Sequence, residues 1–326
     1  MYAVIKKHFP SLLNLGVLWV YALDFYKYTK HSSVAREDTS VKLVSRIIAD
    51  YHVIEKGLTM PSVRLGFGVA RMHALLESIN AYVEQYGATN EQVCCAIGVV
   101  KEYKDFHTRN DYQIDENISK QITSLEQRFP AIANTVQKRF SEGNYYAQSK
   151  ASFDDFSRSR LSVRNYDPEK EVPVDKIEKA VNLATNAPSS CNRQTVRVHV
   201  YKDRDLVREI LAIQGGNRGF GDRANKLIIV TSDLQCWHGV SENKAPYVDG
   251  GVFTMNLLYA LHFYKIASCP LNCNLSPEKE KSLRKICGIP KSEVFVVMVS
   301  CGLVPEEFEV PASRRYTTPN ILTIHN

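Results

Sequence analysis

Apolar residues in the first 150 positions recur at three- and four-residue steps. Val44, Ile47, Ile48, Tyr51, Ile54 and Leu58 fall on one face of a helix, because 3.6 residues complete a turn. Gly57 and Pro61 close that run. Ala70, Leu75, Leu76, Ile79 and Val83 mark a second helix, and Val93, Ile97, Val100 and Tyr103 a third. Ile118, Ile122, Leu125 and Phe129 mark a fourth, which Pro130 stops. No stretch in this part alternates as a strand does, so residues 1–150 are expected to be an all-helical N-terminal region.

The period changes after Gly143. Thr195 to Tyr201 (TVRVHVY) alternates, with Val196, Val198 and Val200 on one face, which predicts a half-buried strand. Leu227 to Thr231 and Val294 to Ser300 are short β-branched runs of the kind central strands carry. Val174 to Thr185 and Val252 to Lys265 have helical period. Strands interleaved with helices predict an α+β or α/β domain over residues 151–326.

Composition narrows the class. The 326 residues are 44% hydrophobic and 23% charged, enough apolar surface for a core and too much for a disordered chain. The mean hydropathy of −0.25 excludes a polytopic membrane protein. The net charge of +6 is spread among acids without a basic run, which suits a small anionic ligand and gives no support for nucleic acid. Eight scattered cysteines, several inside apolar runs, are expected to be free thiols in a reducing, cytoplasmic compartment. Cys269 and Cys273 have no second pair at a zinc spacing, so no metal is expected.

Ser11 to Leu23 (SLLNLGVLWVYAL), preceded by Lys6 and Lys7, is apolar but shorter than the roughly 20 residues of a membrane-spanning helix. It also lacks a small-x-small cleavage site. A helix packed on the body or on a partner is expected. The alternative is a peripheral membrane contact through residues 11–23, with Trp19, Tyr21, Tyr26 and Tyr28 at the interface.

Five segments carry candidate chemistry. His52, Glu55 and Lys56 lie three and four apart and are expected to form a helix surface, with His and Glu paired one turn apart. Arg158 to Tyr166 (RSRLSVRNY) holds alternating arginines and serines. In an extended chain these would point one way and suit an anion, since guanidinium forks match phosphate oxygens. A solvated basic linker is the plainer alternative. Ala187 to Gln194 (APSSCNRQ) closes a helix and opens the strand at Thr195; its amides could read a ring edge. Ile266 to Asn272 (IASCPLN) is expected to be a proline-containing loop, and Pro311 to Tyr316 (PASRRY) a basic C-terminal motif. The glycine-rich Gly215 to Gly221 fits neither a dinucleotide loop nor a P-loop.

The last four segments, in this order, resemble the nitroreductase family of FMN-dependent oxidoreductases, here in a longer form with an N-terminal helical extension. The resemblance covers about residues 153–320. It implies an α+β fold with a mixed sheet flanked by helices, and a homodimer passing hydride from NADH or NADPH through flavin N5 to an electron-poor small molecule. It also implies site residues. Arg160, Leu161 and Ser162 would surround the FMN phosphate, with Arg314 and Arg315. Arg164 would lie near the ring's N1 and C2 carbonyl. Pro188, Ser189, Ser190 and Asn192 would reach the flavin across the dimer. Asn217 would meet the pyrimidine ring, and Pro270, Leu271 and Asn272 would face the ring with their backbone. Thr195-Val196 departs from the family's Pro-Trp, and Ala312 from a basic residue. The alternative is a non-catalytic flavin-fold protein that docks through its N-terminal region on a membrane or an assembly.

Overall fold

The computed structural model describes residues 10–34 and 36–325, and the side chains from position 13 onward. Lys6 and Lys7 lie outside the described residues. By its contacts the chain divides into two units. One takes the chain up to Tyr26 together with Phe140–Phe308; the other takes Lys27–Arg139 together with the chain from Glu309 onward. The helical part therefore ends near 139 instead of 150, and the C-terminal segment is grouped with it.

That helical unit contains α2 (Ser40–Leu58), α3 (Val69–Tyr86), α4 (Glu91–Arg109) and α5 (Glu116–Arg128). Thr39, Asn90 and Asp115 cap α2, α4 and α5 by accepting backbone N–H groups of their first turns, which satisfies donors that have no partner inside the helix. The expected apolar stripes meet in one core that includes Ile47, Ile54, Leu76, Ile79, Ile97, Ile122 and Leu125. The His52–Glu55 pair forms, with Nδ1 3.1 Å from Oε2. It is not a surface pair, because Glu55 is fully buried and its Oε1 has no partner. His107 is also buried: its Nε2 accepts from the Gly66 N–H (3.0 Å) and its Nδ1–H donates to the Tyr103 carbonyl (2.7 Å).

The first helix, α1 (Pro10–His31), exposes Leu18, Trp19, Phe25 and Tyr28. Its Asp24 accepts from Lys244 Nζ (2.7 Å) and Asn243 Nδ2 (3.0 Å). Among the described residues, no helix is long and apolar enough to cross a membrane.

The sheet unit opens with β1 (Lys138–Ser141), a strand where the sequence predicted only helix, followed by the short helices α6 (Glu142–Tyr146) and α7 (Phe153–Ser159). β1 pairs with β6 (Glu307–Val310) where the chain passes from one unit to the other. The main sheet has the order β2 (Val196–Tyr201), β3 (Lys226–Asp233), β5 (Glu293–Gly302), β4 (Ala267–Asn272). Its three ladders are all antiparallel, with Val198 opposite Val230, Ile229 opposite Met298 and Cys269 opposite Ser300. The α+β class is as expected, whereas the main sheet is antiparallel throughout instead of mixed.

Helices α8 (Val174–Ala184) and α10 (Ala245–Phe263) bury Ile177, Ala180, Leu257 and Leu261 against Ile228, Val230 and Val299 of the sheet. Helix α9 (Arg204–Gln214) packs on α11 (Pro277–Cys287). The expected loop at Cys269–Asn272 is instead part of β4. Pro270 is tolerated there because β4 is an edge of the sheet, where a missing N–H costs little.

Candidate functional site

The Arg-x-Ser-x-Arg segment leaves α7 and runs as a strip along the free side of β4. Its backbone is held at successive points: Leu161 O accepts from Tyr145 OH (3.1 Å), Val163 N–H donates to Ser268 O (3.0 Å), and Asp167 N–H donates to Leu303 O (2.8 Å). Val163 and Tyr166 are fully buried, and Tyr166 OH lies 3.0 Å from both the carbonyl and the Oγ of Ser300. Ser162 and Arg164 are half-buried.

Arg160 is the unusual member. Its Nε and Nη1 are buried and meet no acceptor. A guanidinium taken out of water without an anion is strongly unfavourable, and an anion is the group that relieves it. Asn165 Oδ1 is likewise buried without a partner.

Beside Arg160 lies His262 of α10, with Ser159 Oγ 2.8 Å from its Nε2 and the rings of Tyr145, Tyr146 and Phe156 around it. Burial first, and the Arg160 charge second, push its pKa down to about 4. An unfolded imidazole takes its proton near 6.5 and this one only near 4, so folding stability falls as pH drops through that window. We expect a loss of about 2–3 kcal/mol between pH 7 and 4.5. Chemical denaturation at both pH values checks this: His262→Asn should remove most of the dependence, and an unchanged slope would rule the assignment out.

The Ala187–Gln194 segment is a tight turn, not a loose one. Ser190 donates through its N–H and Oγ to the buried Asp249 carboxylate of α10 (2.9 and 2.8 Å). Gln194 N–H donates to Ser189 Oγ (3.0 Å). Cys191, Asn192 and Gln194 have φ of 52°, 54° and 50°, a sparsely populated region that only surrounding bonds can hold. Arg193 supplies more of them, pairing with Glu242 (2.8 Å) and lying over the Trp237 ring. That pairing, with the Gly239 and His238 N–H groups, holds the Glu242 pKa down to about 2. A cavity of about 170 Å³ opens between Pro188, Ser189 and Gln194 on one side and Asp249 and Phe253 on the other.

The other expected site residues are placed differently. Asn217 is buried and donates both amide protons inward, to Leu211 O (2.5 Å) and Gln214 Oε1 (3.1 Å), so it closes the turn after α9. Pro270, Leu271 and Asn272 lie in β4, with Asn272 O accepting from Gln214 Nε2 (3.1 Å). Arg314 and Arg315 are exposed in a segment anchored within the helical unit, where Gln137 Oε1 accepts from Ala312 N–H (3.0 Å) and Glu91 accepts from Thr317 N–H (2.9 Å).

Sequence reasoning did not single out His262, Asp249 or Glu242, and it read Ser159 only as part of the Arg158–Tyr166 segment, not as the partner of His262. Asp249 begins the Asp-Gly-Gly triplet in the first half of α10 and could have been flagged as an acid inside an apolar helix. His262 carries no such signal.

The site thus comprises an arginine- and serine-bearing strip along one edge strand of an antiparallel sheet and a polar turn pinned to a long apolar helix. Residues 157–216, which span both the strip and the turn, match the family model described as the nitroreductase family. A protein of Archaeoglobus fulgidus that carries the name NADH dehydrogenase/NAD(P)H nitroreductase is 29% identical over 156 residues, covering 46% of this chain and 83% of its own length. A nitroreductase-like protein of Streptococcus mutans aligns over 53% of this chain and 98% of its own at 18% identity, with a TM-score of 0.47. An FMN-dependent nitroreductase of Clostridium difficile aligns over 52% and 98% at 20% identity, with a TM-score of 0.44. The part of the chain that carries the strip and the turn is thus similar to the nitroreductase family.

Proposed function

We propose that the protein is an FMN-dependent oxidoreductase that draws on NADH or NADPH and acts on an electron-poor small molecule, as a homodimer. The observation that carries this is Arg160, a half-buried residue whose Nε and Nη1 are buried and unmatched on the strip that the family model covers. That donor set fits the FMN phosphate, with Ser162 adding a short hydroxyl donor and Leu161 the backbone between them.

Arg164, half-buried on the same strip, would put a cation near the N1 and C2 carbonyl side of the ring, where negative charge builds on reduction. The turn from Pro188 to Asn192, held by Asp249, presents a rigid polar edge; Pro270, Leu271 and Asn272 present the β4 backbone. When bound, FMN supplies the two-electron chemistry that takes hydride from the nicotinamide donor and delivers it to the acceptor. The chain's own contribution is then orientation, charge and exclusion of water, which is why no carboxylate dyad is needed.

Protein purified without added flavin should show flavin absorption bands and release FMN in a stoichiometric amount on denaturation. A colourless protein that also fails to take up added FMN would overturn this reading. It would favour instead a non-catalytic flavin-fold protein docking through its N-terminal region, for which the exposed Leu18, Trp19 and Phe25 of α1 speak.

A further inference from the structure

We propose that His262, oriented by Ser159, is the positioning residue of Arg160, fixing the guanidinium so that its remaining N–H groups meet the cofactor phosphate. This rests on the assignment of Arg160 as a phosphate ligand and goes beyond it.

The proton count at Ser159 sets the orientation. Its single hydroxyl proton donates to the Phe156 carbonyl at 2.8 Å. The Oγ, also 2.8 Å from His262 Nε2, must then accept, so Nε2 carries the proton. At neutral pH the ring is uncharged, which leaves Nδ1 as a bare lone pair. That Nδ1 is buried and without a partner, as are Arg160 Nε and Nη1 and the Tyr146 hydroxyl. One unmatched acceptor and several unmatched donors thus share one dry region of the sheet unit.

The backbone brings them together. Ser159, immediately before Arg160, is tied to His262, while Leu161, immediately after it, is tied to Tyr145. Tyr145 in turn stacks edge-on to His262, with ring centroids 5.2 Å apart. Arg160 is therefore bracketed by two anchors that converge on the imidazole. The Nδ1 lone pair and the Arg160 N–H groups do not bond directly; one bridging water joins the imidazole to the back edge of the guanidinium. A guanidinium held at its back edge presents its outer edge in one geometry, so less rotamer freedom is lost when the phosphate arrives. A cationic imidazolium here would repel Arg160, so the depressed proton affinity of His262 is what lets it serve as acceptor.

The test compares FMN with riboflavin, which lacks the phosphate, by fluorescence titration of flavin-free protein. His262→Leu should weaken FMN at least tenfold and leave riboflavin within about twofold, while His262→Asn, whose Oδ1 can stand where Nδ1 does, should stay within about threefold of wild type for both. If His262→Leu weakens both flavins equally, the residue is merely structural and the proposal fails. If Arg160→Ala loses FMN affinity but His262→Leu does not, the phosphate ligand stands and only the positioning role falls. If Arg160→Ala keeps full FMN affinity, both fall together.

Discussion

Arg160→Ala is expected to weaken FMN binding on the order of 100-fold while leaving the flavin-free protein as stable as wild type or more so. The two effects have opposite signs for one physical reason. With phosphate present, the guanidinium makes charge-assisted hydrogen bonds worth about 1.5–3 kcal/mol each, and two of them account for the affinity change, since about 1.4 kcal/mol is tenfold. Without phosphate, Nε and Nη1 remain buried and unmatched, a state in which a charge works against folding. Deleting it removes that penalty. FMN titration and thermal denaturation of the flavin-free protein measure the two halves separately. A variant that holds FMN as tightly as wild type would refute the phosphate assignment, and one that loses affinity only because it unfolds would show a lowered transition in the flavin-free form. A residue kept at the expense of the empty fold is what a binding site looks like.

The strip itself was legible because its information is local. Alternation of Arg160, Ser162 and Arg164 needs only an extended chain to place the three side chains alike, and the structure supplies it by seating Val163 on Ser268. The helices α2 to α5 were legible for a similar reason: each buries a stripe of large aliphatics at helical spacing. Where the local signal is thin, the sequence is silent, as at α11, or misleads, as at β4. Helix α11 buries only Leu283 fully, and its remaining charged residues suit a surface loop as well as a helix. Strand β4 contains Pro270 and ends at Asn272, both turn residues by composition, and becomes a strand only because β5 offers a ladder on one side.

The supports of the site were illegible because they act at a distance. Ser159 and His262 are 103 positions apart, and a histidine in the last turn of an apolar helix announces a C-terminal charge preference sooner than a buried neutral acceptor. Asn217 shows the converse. An amide beside glycines suggests a ligand contact, yet its two N–H groups are needed to close the α9 turn. In the same way Ser313-Arg314 has the composition of an anion clamp, while its flanking bonds to Gln137 and Glu91 anchor it within the helical unit.

Gly302→Ala should destabilise the protein by about 2–3 kcal/mol, near the upper end for one added methyl group in a packed interior. The backbone of Gly302 asks for no special conformation; the difficulty is space. A Cβ at this position would lie 2.5 Å from Tyr166 Cγ and 2.6 Å from its Cβ and Cδ1. The ring cannot give way easily, because Tyr166 is fully buried and its hydroxyl is fixed at Ser300. Displacing it would also move the strip, since Asp167 hangs on Leu303, immediately after Gly302. FMN affinity should therefore fall along with stability in this variant, although residue 302 would not touch the cofactor. The cycle with Tyr166→Ala isolates the cause. Tyr166→Ala alone is expected to cost about 3–5 kcal/mol, and adding Gly302→Ala to it should cost less than about 0.5 kcal/mol, because the obstructing ring is gone. If Gly302→Ala costs as much in that background as in wild type, Tyr166 is not what the methyl group meets, and the coupling between the end of β5 and the arginine strip is absent.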